Sequence, residues 1–193
     1  MNGRSKKYQF LALTLLLSSA VSASSFTGPS PEALKRATSQ MDALDKAMVD
    51  GVKVLKAGDL KSIGAHSGHF ISLVNSGKAL FGPSVLDPLG RCSSAGIYAQ
   101  SWWAAQVTAA QKGGVESISG SIQDTLERFK GDRAECLKSA DPIVSAKIEA
   151  ESDAELQTRF GGGRECLKSY KIDPVTKKTI EIPRAAHCKN GPT

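Results

Sequence analysis

The side chains best suited to redox, nucleophilic or metal chemistry in this 193-residue chain are four cysteines, Cys92, Cys136, Cys166 and Cys188, and three histidines, His66, His69 and His187. A zinc site would draw on both types, but no C-x2-C pair supports one, and neither a C-x-x-C redox motif nor the haem signature C-x-x-C-H is present. His66 and His69 stand three apart. On a helix that puts His66 at the margin of the apolar face and His69 nearly opposite, so they do not converge on a metal. No metal ligand and no cofactor is expected. The four cysteines read instead as two disulfides, the usual fate of an even count in an exported chain.

Sequence signatures of catalysis are equally thin. There is no G-x-S-x-G elbow, no P-loop and no H-E-x-x-H, and Gly161-Gly162-Gly163 lacks the Lys-Ser/Thr ending that a phosphate cradle needs. Paired carboxylates converge through folding rather than spacing, so they are not legible here. The balance leans away from an enzyme.

Export is written at the start of the chain. Arg4, Lys6 and Lys7 form a basic end, Phe10 to Leu17 an apolar run and Val21-Ser22-Ala23 a small-residue cleavage site, so residues 1–23 read as a signal peptide. That apolar run is too short to span a bilayer, and no other stretch approaches the roughly 20 apolar residues that a span requires. A periplasmic or secreted protein without stable membrane insertion is expected. No cysteine closely follows the cleavage point, against a lipid anchor, and no N-x-[ST] acceptor occurs, which favours a bacterial envelope.

The elements that must position the cysteines are mostly helical. Ser30-Pro31-Glu32 starts a helix, and Leu34, Ala37, Met41, Leu44, Met48, Val52 and Leu55 continue as an apolar stripe to Gly58. A second helix opens at Asp59 and is expected to end near Gly77. Prolines and glycines between Gly82 and Gly90 impose a loop that keeps Val85, Leu86 and Leu89 apolar. A third helix runs from about Cys92 to Gln111. A fourth, from about Val115 to Ser139, carries Ile118, Ile122, Leu126, Phe129, Cys136 and Leu137, with Gly131 as a candidate bend. Cys92 and Cys136 lie about equally far from Gly113-Gly114, so an antiparallel hairpin of these helices pairs them and leaves Cys166 for Cys188. Trp102 and Trp103 point about 100° apart, so one is expected in the core and the other, Trp103, at a flank open to a partner.

Beyond Asp141-Pro142 a further helical segment holds Ile143, Val144, Ile148, Leu156 and Phe160, and the triple glycine then changes the composition. Short β-favouring runs, 170–172 and 179–182, flank Asp173-Pro174 and predict a hairpin closed at its base by Cys166 and Cys188. The pentapeptide Glu-Cys-Leu-Lys-Ser occurs at 135–139 and again at 165–169, with dissimilar flanks, and reads as coincidence rather than a repeat. The expected architecture is mainly α. It has an antiparallel bundle of four to five helices over residues 24–160 and a basic hairpin appendage over 161–193.

Charge divides the chain in the same place. The formal charge is +6, or about +3 once Arg4, Lys6 and Lys7 are removed. From residue 159 on, Arg159, Arg164, Lys168, Lys171, Lys177, Lys178, Arg184 and Lys189 face only Glu165, Asp173 and Glu181, a balance of +5. Such a patch suits a protein partner or an anionic envelope component. Nucleic acid is not expected, because stacking aromatics are scarce among these charges. Candidate binding residues are Lys171, Lys177, Lys178 and Arg184 on the hairpin, Val85, Leu86 and Leu89 in the apolar loop, and Trp103. The expected function is partner binding without catalysis, of an inhibitor or immunity type. The alternative is a small hydrolase or small-ligand carrier with its site between helices.

Overall fold

A computed structural model describes residues 25–189; the signal sequence expected over 1–23 lies outside the described residues. The described residues fold as five helices, a short 3-10 turn and a two-stranded sheet. The first helix, α1 (Pro31–Ala57), starts where Ser30 Oγ accepts the Ala33 N–H at 3.0 Å and stops at Gly58, whose φ of 70° a glycine adopts without strain. Its buried stripe is Ala33, Ala37, Met41, Leu44, Ala47, Met48 and Gly51.

Asp59 caps α2 (Leu60–Phe81) by accepting the Ser62 N–H at 2.9 Å. This helix does not end at Gly77 as the sequence suggests. It continues one turn to bury Phe81, and Gly77 serves as a crossing point: a Cβ there would lie 3.8 Å from Ser93 Cα. Ser93 Oγ donates to the Gly77 and Gly82 carbonyls, satisfying the end of α2 from inside the core.

The third helix, α3 (Gly90–Gln111), packs against α1, α2 and α4 (Ser121–Ala140). Its central place explains its small residues: Ala95, Gly96 and Ala99 are buried, and a Cβ on Gly96 would already touch Val74. The α3–α4 connection is longer than the Gly pair implies. Val115 and Ile118 lie in it, exposed, because Gly120 at φ 80° and the Glu116 carboxylate, which accepts the Ser121 N–H, delay the start of α4. Gly131 does not end α4, which runs through to Ala140.

Antiparallel packing follows from which ends meet. Ser30 N–H donates to the Ala140 carbonyl, Ser93 meets the end of α2, and Cys92 is bonded to Cys136 across α3 and α4 with a Cα–Cα distance of 4.6 Å. The salt bridge from Arg91 to buried Asp132, 2.8 Å, joins the same two helices beside that disulfide.

Four helices thus make the core. The fifth, α5 (Pro142–Phe160), has no buried residue. Asp141 is at once the C-cap of α4 and the N-cap of α5, accepting the Ile143 and Val144 N–H groups. No helix of the described residues is long and apolar enough to cross a membrane.

Candidate functional site

After α5 the chain turns at Gly161, φ 76°, into a 3-10 turn, η1 (Arg164–Cys166), and then a hairpin of β1 (Ser169–Ile172) and β2 (Thr179–Ile182). The strands pair antiparallel with Tyr170 opposite Glu181 and Lys171 opposite Ile180. Cross-strand partners share a face, so Tyr170, Ile172, Thr179 and Glu181 line one side, and Ser169, Lys171, Ile180 and Ile182 the other. All eight strand residues are exposed.

A lone two-stranded hairpin is marginal in water, so local chemistry must hold this one. Two devices do so. In the turn, Asp173 Oδ1 accepts the Val175 and Thr176 N–H groups at 2.8 and 2.7 Å, and Pro174 presets the backbone between them. The Thr176 and Val175 N–H groups hold the Asp173 carboxyl below the usual aspartate range. At the base, Cys166 is bonded to Cys188, with a Cα–Cα distance of 5.3 Å, and the Lys189 N–H donates to the Phe160 carbonyl.

The expected binding cations all lie on this segment, Lys171 in β1, Lys177 and Lys178 in the turn and Arg184 beyond β2. Lys171, Lys177, Lys178 and Arg184 form no salt bridge among the described residues, a state they share with Lys35, Lys56, Lys61, Lys78 and Lys112 of the bundle, whereas Arg36, Lys46, Arg91, Arg128 and Arg133 pair with carboxylates. Lys177 is held at φ 57°, a conformation unusual for a side-chain-bearing residue, which fixes its place at the tip. Apolar side chains lie among the charges: Tyr170, Ile172, Val175, Ile180 and Ile182 are all substantially exposed.

The remaining candidates divide. Val85 and Leu86 are exposed, Leu86 by 90%, on the α2–α3 loop, and no hydrogen bond or salt bridge links that loop to the hairpin among the described residues. Leu89 is fully buried, which corrects the expectation that it faces a partner. Asp87 accepts the Ser84 N–H and turns the loop back over the bundle. Gly90 lies so close beneath that a Cβ would meet the Ser84 carbonyl at 2.2 Å, and Leu89 is pressed inward.

Trp103 is likewise corrected: 2% exposed, it stacks on Phe70, lies on the backbone of Gly51 and donates from Nε1 to Ser67 Oγ at 2.8 Å. Trp102 is also buried, because α3 has neighbours on several sides. His66 packs edge-on against Trp103, with Nε2 2.9 Å from Ala47 O, while His69 is exposed.

Sequence reasoning missed two features. One is an apolar groove of about 360 Å³ beside the end of α1, lined by Val52, Leu55, Lys56, Gln106, Ala109, Ala110, Gly114 and Ile122. Its only charged side chain is Lys56. The other is the company kept by the second disulfide: His187 Nε2 is 3.8 Å from Cys166 Sγ and 3.3 Å from Glu165 Oε1. The adjacent His187-Cys188 pair was the available signal. In comparisons with known proteins, no family model matches the chain, and no curated protein and no solved structure matches it.

Proposed function

We propose that this is an exported, non-catalytic binding protein, periplasmic or secreted, whose hairpin docks on an acidic protein partner in the manner of an inhibitor or immunity protein. One observation carries the reading: one face of a disulfide-closed ribbon presents Lys171 beside exposed Ile180 and Ile182, with Lys177 and Lys178 at its tip. Interface cores combine apolar anchors with a polar rim, and charge complementarity selects the partner. A purely anionic polymer would satisfy the lysines but leave the isoleucines in water, so a protein fits better. Two disulfides suit an oxidising compartment.

The test is capture from an envelope fraction of the producing cell with the oxidised mature protein. It is repeated with Lys177→Glu/Lys178→Glu and with Ile180→Ser. A protein partner gives saturable binding that each variant weakens by about tenfold or more, as hot-spot losses do. Binding lost on charge reversal but kept in Ile180→Ser would identify a polyanion instead. No saturable partner would count against the reading.

The groove beside α1 supports a second reading, a carrier of a small apolar ligand. Its size falls within the range of small-molecule sites and its lining is mostly apolar. A hydrolytic site between the helices draws no support from that lining, which contains neither carboxylate nor histidine.

A further inference from the structure

The base of the hairpin gathers more donor atoms than a structural disulfide needs. Cys166 Sγ, Cys188 Sγ and a ring nitrogen of His187 all lie within 4.8 Å of one another, and Glu165 Oε1 stands 3.3 Å from His187 Nε2. Cys166 Sγ, Glu165 Oε1 and His187 Nε2 converge on one point. A Cβ built on Gly162 would meet Cys166 Sγ at 2.6 Å, Glu165 Oε1 at 2.8 Å and His187 Nε2 at 2.8 Å, so only glycine leaves that space open.

These separations resemble the edges of a zinc tetrahedron. With Zn–S about 2.3 Å and Zn–N or Zn–O about 2.0 Å, sulfur-to-nitrogen and nitrogen-to-oxygen edges come to roughly 3.3 to 3.6 Å. The observed 3.8 and 3.3 Å are close to those values. The sulfur-to-sulfur edge is too short, because the two atoms are bonded; around zinc it would open to about 3.8 Å.

We propose that the hairpin base is a redox-gated zinc site, in which Cys166, Cys188, His187 and Glu165 hold one Zn²⁺ once the disulfide is reduced. The reductant is a dithiol. It is oxidised to its own disulfide as the Cys166–Cys188 bond breaks into two thiols, and Zn²⁺ then displaces the two thiol protons to solvent as two Zn–S bonds form. Two thiolates, an imidazole and a carboxylate are a donor set that suits zinc. Glu165 is already oriented, since Oε1 accepts the Gly163 N–H at 2.9 Å. Cys166 is buried while His187 is exposed, which gives the ion a route in from one side. The hairpin would then stay closed at its base in both redox states, by a covalent bond or by a metal. This does not rest on the partner reading.

Cobalt(II) is the probe. Mature protein is reduced with a dithiol, freed of reductant without oxygen and titrated with Co²⁺. Expected are the visible bands of tetrahedral cobalt and a sulfur-to-cobalt charge-transfer band, saturating at one equivalent, discharged by Zn²⁺ and absent from the oxidised protein. The variant Cys166→Ser/Cys188→Ser keeps Cys92 and Cys136 and should show neither band. His187→Ala and Glu165→Ala should each weaken binding by about tenfold or more, because loss of a direct ligand exceeds the 10- to 100-fold effect of outer partners at its lower end. Far-ultraviolet circular dichroism confirms that the helices of each variant are intact. Absence of the bands in the reduced protein, their persistence in the double serine variant, or unchanged affinity in either single variant would overturn the site.

Discussion

The same five residues, Glu-Cys-Leu-Lys-Ser, lie in α4 at 135–139 and at the root of the hairpin at 165–169. In α4 they are helical: Lys138 pairs with Glu135 at 2.8 Å, Cys136 bonds back to α3 and Leu137 packs on the core. At the hairpin root, Glu165 turns to His187 and the Gly163 N–H, Leu167 is exposed and Ser169 begins a strand. Flanks make the difference. The first copy arrives on an established helix, for which each further residue adds a hydrogen bond at little cost, whereas Gly161-Gly162-Gly163 removes the nucleus from the second. The bundle is held by burial reinforced by one disulfide, the hairpin by covalent and local contacts alone.

Truncating one aromatic in each region should break the symmetry most sharply. Trp103→Ala is expected to cost about 3–5 kcal/mol, since it empties a packed site and strands Ser67, whereas Tyr170→Ala should stay within about 0.5 kcal/mol. Denaturant unfolding of both variants checks this, and comparable losses would contradict the division. The disulfides come next. Cys92→Ser/Cys136→Ser should lower global stability by at most about 4 kcal/mol on chain-entropy grounds, seen as a fall in the helical melting temperature. Cys166→Ser/Cys188→Ser removes at most about 3.4 kcal/mol, confined to the hairpin, so the helical melt should hold while amide exchange in 169–182 accelerates.

A smaller effect tests the turn. Lys177→Gly relieves the left-handed conformation and should stabilise the hairpin by about 1 kcal/mol, read as slower amide exchange across β1 and β2. Acid supplies the smallest effect. Lys46 and Lys53 hold the Asp50 carboxyl down to about 2, and the Asp173 carboxyl is also depressed. A depressed folded-state pKa gives stability that is complete above the ordinary carboxylate range and lost as pH falls through the folded value. Carboxyl chemical shifts should therefore report Asp50 still titrating near pH 2, and Asp173 below an ordinary aspartate.

Much of this division was legible beforehand. The apolar stripe of α1, its Ser30 and Gly58 caps, both disulfide pairings and the hairpin follow from periodicity, turn residues and cysteine positions. What was not legible depends on neighbours. Gly77 signals a helix end by type, yet packing of Phe81 carries α2 past it. Trp103 and Leu89 are exposed or buried according to which helices lie alongside, a fact that no local pattern holds. Convergence of Glu165, His187 and the second disulfide needed the hairpin to close across 22 residues.

Asp141 ends α4 with its backbone N–H on Leu137 O and begins α5 with its side chain on Ile143 and Val144. No spacer separates the two helices, yet no residue of α5 enters the core. The chain is thus modular at a single position. Whatever follows Asp141 can diverge, lengthen or be exchanged without repacking the body, while the body can be optimised for rigidity without constraining what it displays.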